Sequence, residues 1–371
     1  MRNFSIPMNF RLSPQTMHST CTLPRSAKKL SPQAHPRTTM TKTTATLAKA
    51  TLALLAATAL TSVDVKAQTT WLTNASGTNL SAATNWSGGA APSNNTAWLF
   101  TNSIQTLLNN DFAANWTNTG ITFSTNASAF TISGNALTLG GNITNNSVNT
   151  AVFNTPLTLS GTRTVQTTNT GGNLVFNGSI GGSATLTVNG TGVTFLNAAN
   201  SFTYLNASAG TNTVVGRNAA AFGTGSIQAG SSAAFTTFVL ATDVTDNFGN
   251  NLTGVANTGA TVRLVSDRIT AGSGVTHTLG NFTNNYSSST MFLAQKGGNV
   301  TDGNAAIGAG TVTGGALAGN GNFNLVAYSA GLKVNTVTWS PNNTATATNY
   351  INLGGSATNS TVAYIAGATN G

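Results

Sequence analysis

The stretch LTLGGNITNN at residues 137–146 decides the reading of this chain, and it returns as HTLGNFTNN at 277–285. Each copy alternates apolar and polar residues over a few positions and then breaks at Gly or Asn, the pattern of short strands and not of helices. The same grammar runs through GITFST (120–125), TPLTLSGTRTV (155–165), GNLVFNGSI (172–180) and SATLTVNGTGVTFLN (183–197). A second phrase, NAAAFGTGSI at 218–227, returns as NAAIGAGTV at 304–312. Gly and Asn supply the left-handed backbone that tight corners need, and corners repeated along a chain stack strands into a solenoid.

The copies are degenerate and irregularly spaced, which favours a parallel β-helix with loops of varied length over a strict short-period repeat. With coils of roughly 20 to 25 residues stacked at about 4.8 Å, the body makes about a dozen rungs. Inward Val, Ile, Leu and Phe form one core, and outward Thr, Asn and Ser form the visible face. The competing all-β reading is an array of β-sandwiches with hairpin turns. Body prolines occur only at Pro92, Pro156 and Pro341, where a strand can start or a turn can sit.

Charge divides the chain in two. Nine of its fifteen Lys and Arg lie in residues 1–67, opposed only by Asp64. From Gln68 onward six cations face five Asp, and the whole chain has no Glu. The net charge of +9 therefore belongs almost wholly to the leader, and the body lacks the clustered basic surface that nucleic-acid binding requires. The only cysteine, Cys21, also precedes the body, which leaves it without disulfides or a thiolate metal site.

Residues 40–67 have the plan of a secretory signal peptide. Lys42 and Lys49 precede an apolar run from Ala50 to Leu60, and Val65 and Ala67 stand at −3 and −1 of a cleavage site before Gln68. The apolar run is too short to span a bilayer. Met40 sits where such a peptide begins, so residues 1–39 read as a non-native or extended leader. The expected organisation is then leader (1–39), signal peptide (40–67), Trp-rich N-terminal capping segment (68–120) and strand-repeat solenoid (121–371).

Trp71, Trp86, Trp98 and Trp116 crowd the capping segment. An open solenoid end exposes core and strand edges, so these rings read as a cap; the functional alternative is a platform on which sugars stack. Here a resemblance becomes specific. The run from Trp71 through Asn85-Trp86 and Pro92 to Phe100, followed by GITF, FTISGNALTLGGNITNN, PLTLSGTRTV and GNLVFNGSI, resembles the start of autotransporter-associated β-strand repeat proteins. NAAAFGTGSIQAGSSAAF is similar to that family's repeat core, and the likeness covers about residues 71–235. It implies a right-handed parallel β-helix on an exported bacterial protein, a passenger displayed at or shed from the cell surface. The family's terminal membrane barrel and acidic-proline sorting motif do not follow in this sequence, so the expectation is free secretion or a truncated chain.

Chemistry-bearing residues are few. Asp243 and Asp246 are the only acids within four residues of one another in the body, and they read as turn-capping residues. His277 reads as a solvated strand residue, and Arg263, Asp267 and Arg268 as a surface charge group. Sequons such as Asn74, Asn142 and Asn281 follow from Asn and Thr richness. No catalytic, cofactor or metal site is expected, and neither is a transmembrane segment in the mature body. The leading function is a secreted or cell-surface structural or adhesive solenoid engaging extracellular glycans, other cells or copies of itself. A carbohydrate-active β-helix is the alternative, and an ice- or crystal-binding Thr face comes third because Thr clusters such as TATAT (344–348) do not recur at an even spacing. A groove gathering Asp243, Asp246, Asp267, Asp302 or His277 would favour the enzyme, and an aligned Thr array would favour lattice binding.

Overall fold

A computed structural model describes residues 68–230, 235–254, 260–284, 290–314, 323–339, 349–352, 363–365 and 368–370. Its strands are short, and their burial alternates residue by residue as the sequence does; Leu137–Leu139 reads buried, half-buried, buried. One turn of the chain shows the plan. Leu137–Leu139 forms a first side, the Gly140-Gly141 corner turns the chain into Ile143–Asn145 on a second side, and Ala151–Phe153 makes the third. The next turn repeats it with Leu157–Leu159, Arg163–Thr167 and Leu174–Phe176.

Every strand pairs in parallel with its counterpart one turn away, so the sandwich reading, which needs antiparallel hairpins, is excluded in favour of a parallel β-solenoid. Among the described residues the first two sides together build a nineteen-stranded sheet and the third an eleven-stranded one. Trp71 and Trp86 form the one antiparallel bridge among the described residues. The two repeated phrases have a structural explanation. Leu137–Leu139 with Ile143–Asn145, and Thr276–Thr278 with Phe282–Asn284, are the same first-to-second corner several turns apart. Ile227 and Val312 likewise share a second-side position, linked through Leu252 and Phe282.

Inward residues stack on their own kind. Ile121, Ile143, Val165 and Val188 follow one another on the second side, and on the third the rings of Phe153 and Phe176 stack 5.2 Å apart. The result is one continuous core from Trp71 to Val337. Corners are closed by buried asparagines, whose side chains satisfy backbone groups that the bend takes out of the ladders. Asn145 donates to the carbonyls of Asn149 (2.9 Å) and Asn173 (3.0 Å) and accepts from the Ser147 amide (3.0 Å). Asn250 donates to Gly223 and Gly225, and Asn200 bridges Ile180 and Ala221. Where the backbone of one coil presses on the next, only Gly fits. At Gly190, with φ of +112°, a β-carbon would stand 1.7 Å from the Thr167 carbonyl oxygen.

Candidate binding faces

The outward residues of the second side align into a single polar column. Asn142 accepts from the Thr164 amide, and backbone register then carries Thr164 to Thr187, Asn206, Gln228, Thr253, Thr283, Thr313 and Thr338. Nine successive positions thus present hydroxyls and amides with no charge among them. Beside its far end runs a second row, in which Asn251 accepts from the Asn281 amide, Asn281 accepts from the Thr311 amide, each at 2.8 Å, and Thr311 registers with Thr336. The expectation that Thr does not recur at rung spacing is therefore corrected. Thr253, Thr283 and Thr313 recur every 30 residues and Thr338 follows after 25, and the strands that carry them stack in register. The TATAT cluster lies outside the described residues.

The third side corrects a second expectation. Its outward column is largely apolar: Leu107, Thr131, Val152, Val175, Phe195, Val215, Val239, Val265 and then Gln295 lie in register over nine coils. Leu107 is 66% exposed, Val215 is buried, and the others are half-buried, as neighbours in a flat ladder shield one another. Two cations lie on aromatic rings of this face, Arg217 over Phe195 at 4.9 Å and Arg263 over the exposed Phe235 at 5.1 Å. In triplets such as Leu174-Val175-Phe176 the outer residues point in and the middle one points out, so the run is apolar on both faces of the sheet.

The acids of the described residues sit at bends and strand ends. Asp243 accepts from the amides of Ile269 (3.0 Å) and Thr270 (2.9 Å) and from the Thr270 hydroxyl (2.9 Å), with Arg268 at 3.7 Å. The Thr270 amide foremost, with the Thr270 hydroxyl and Arg268 adding to it, holds its carboxyl below the usual carboxylate range. Asp246 accepts from the Asn247 amide and Asp267 from the Asn299 amide, each at 2.9 Å. Among the described residues, no group of three or more His, Cys, Asp or Glu converges.

His277 is not a solvated strand residue; it is fully buried. Nδ1 lies 2.8 Å from the Ser266 hydroxyl, which itself donates to the Val275 carbonyl, so the imidazole carries its proton on Nδ1. Nε2 then accepts from the Thr242 amide (3.3 Å) and faces the Thr242 hydroxyl (2.9 Å). Phe248 meets the ring edge-on at 5.8 Å. Burial, opposed in part by Asp246, pulls the imidazole pKa from 6.5 down to about 4. A neutral, fully coordinated ring with no exposed atom is a structural element of the core.

Gln68–Thr70 opens the described chain as a strand on Ala97–Leu99, while Ala67 lies outside the described residues. The segment that follows crosses the first coil. Leu80 donates to Asn109, and Asn109 to Thr78, which lays residues 78–80 along Leu107–Asn110, the first strand of the third side. Trp71, Trp86 and Trp98 are fully buried within it, Trp71 meeting Trp86 edge-on at 5.1 Å and Trp86 donating from Nε1 to the Leu80 carbonyl at 2.7 Å. Rings without exposed faces cannot stack on sugars, so the platform alternative has no support at these three. Trp116 is half-buried against Phe112, the rings stacked at 4.2 Å. Its strand, Trp116–Phe123, runs on across residue 120 into the solenoid. No protein-family model, curated protein or solved structure matches this chain.

Proposed function

We propose that this chain is an exported, non-catalytic bacterial β-solenoid of the autotransporter-associated repeat type, which adheres to extended extracellular glycans through the polar face of its second side. The observation that carries the proposal is the uncharged column from Asn142 to Thr338. A polysaccharide offers hydroxyls at regular intervals, and a ladder of hydroxyls and amides meets it with many weak contacts whose sum is large. The carbohydrate-cleaving alternative needs facing carboxylates, whereas Asp243 and Asp267 are engaged by backbone amides, His277 is buried, and among the described residues no group of three or more His, Cys, Asp or Glu converges.

Pull-down of the chain on insoluble cellulose, chitin and peptidoglycan tests the proposal against the variant Thr283→Val/Thr313→Val/Thr338→Val. Valine keeps the β-branched shape and removes only the hydroxyls. Retention on at least one polymer that falls at least tenfold in the variant supports glycan adhesion; equal retention, or none, refutes it. The aligned threonines favour a second reading, binding to a crystal lattice, because a flat hydroxyl array with a rung spacing of about 4.8 Å is itself a lattice. Inhibition of ice recrystallisation that the same variant abolishes would select it.

A further inference from the structure

We infer that the eleven-stranded third side is a dimerisation face, on which a second copy of this chain packs sheet to sheet. This goes beyond the glycan reading and holds whatever the second side binds. The first argument is chemical. Val152, Val175, Phe195, Val215, Val239 and Val265 occupy six consecutive outward positions between Thr131 and Gln295, with Leu107 one coil beyond Thr131 and Leu293 and Val326 in the neighbouring column. The second side places Thr, Asn and Gln at the equivalent outward positions, so outward Val is a property of this side and not of the composition.

The second argument is size. Eleven strands spaced about 4.8 Å apart, each ordered over three to eight residues at about 3.3 Å, make a face of roughly 500 to 1,300 Å². A stable protein interface buries about 800 Å² on each partner. The third argument selects the partner. The face is a set of ridges with the period of the rungs, and only a surface with that same period interdigitates with it along its whole length; another copy carries it by construction. A two-fold axis lets one stripe serve both chains; Asp267, at the end of a third-side strand, accepts from the Asn299 amide, while Arg217 and Arg263 lie over Phe195 and Phe235.

Sedimentation equilibrium of the full chain over a micromolar concentration series tests the inference. The wild type is expected to be a dimer. Val152→Thr/Val175→Thr/Val239→Thr keeps strand-forming, β-branched residues at outward positions, so it folds with unchanged far-ultraviolet circular dichroism, and its dimerisation constant weakens by at least a hundredfold. Thr283→Val/Thr313→Val on the second side leaves the constant unchanged. A wild-type chain that stays monomeric, whether free or bound to phosphatidylcholine vesicles, overturns the inference, as does a folded triple variant that dimerises as tightly as the wild type.

Discussion

Acidification should weaken the solenoid locally around His277, by an amount its buried imidazole sets. In the folded chain its pKa lies at about 4, against 6.5 when exposed. A folded-state value below the unfolded one means that the unfolded chain binds the extra proton between those limits. Stability is therefore fully present above pH 6.5, declines through the window, and levels off below about pH 4. The slope inside the window is about 1.4 kcal/mol per pH unit, which gives a total near 3 kcal/mol. The comparison that isolates this residue is His277→Gln, whose amide oxygen can still accept from Thr242 but does not titrate here. Amide hydrogen exchange of Ala260–Asp267 and Thr276–Thr278, read on wild type and variant at the same pH values, gives the local opening free energy. The wild type should lose about 3 kcal/mol relative to the variant between pH 7.5 and pH 4. Parallel pH profiles for the two chains, or an imidazole resonance titrating near its exposed value, would refute the burial and hydrogen bonding assigned to it.

The remaining predictions concern corners and the first coils. Asn145→Ala removes two donors and an acceptor from a dry corner, leaving Ser147 N–H and the Asn149 and Asn173 carbonyls unmatched, and should cost about 3 kcal/mol in urea unfolding. Gly190→Ala drives a methyl into the Thr167 carbonyl from a left-handed backbone and should cost about 3 kcal/mol or more, seen as a failure of the adjoining coils to protect their amides. Trp86→Ala removes a ring that packs on Trp71, Trp98 and Phe100, at an expected cost of about 3 to 5 kcal/mol. Because each coil contacts only its neighbours, exchange should accelerate over residues 96–123 and stay unchanged at Thr276–Thr278.

The strands and corners were legible because both are local. Alternation in LTLGGNITNN marks two strands, and its glycines mark the bend where a β-carbon on Gly141 would stand 1.7 Å from the Thr119 carbonyl oxygen. The faces were not legible, because a column joins residues that loops of unequal length separate. Thr283 and Thr313 are neighbours across one coil, yet the chain between them passes through Thr290–Lys296 and Val300–Asp302. The outward Val column hides for another reason: Leu174-Val175-Phe176 reads as core throughout, and composition cannot say which alternate residue faces water. His277 was misplaced because its partners, Ser266 and Thr242, are 11 and 35 residues away. Without them, a histidine between threonines reads as polar and exposed.

The near-absence of charge acquires a physical reason once the columns are known. In a parallel, in-register stack each outward residue sits about 4.8 Å from its counterparts in the coils on either side, where two like charges repel by about 1 kcal/mol even in water. A charged column would add that cost at every rung. Neutral hydroxyls and amides carry no such penalty and can bond along the stack, as Ser133, Asn154, Asn177 and Asn197 do in one exposed ladder with contacts of 3.0, 2.8 and 2.7 Å. The acids of the described residues lie at bends and strand ends, where Asp111, Asp243 and Asp267 accept from the backbone amides of Ser81, Ile269 and Thr270, and Asn299 respectively. A face built under that constraint offers a ligand no strong point of attachment. On the proposed reading, affinity must accumulate over the number of coils engaged, so a short oligosaccharide gains little from a surface that holds a long polymer firmly.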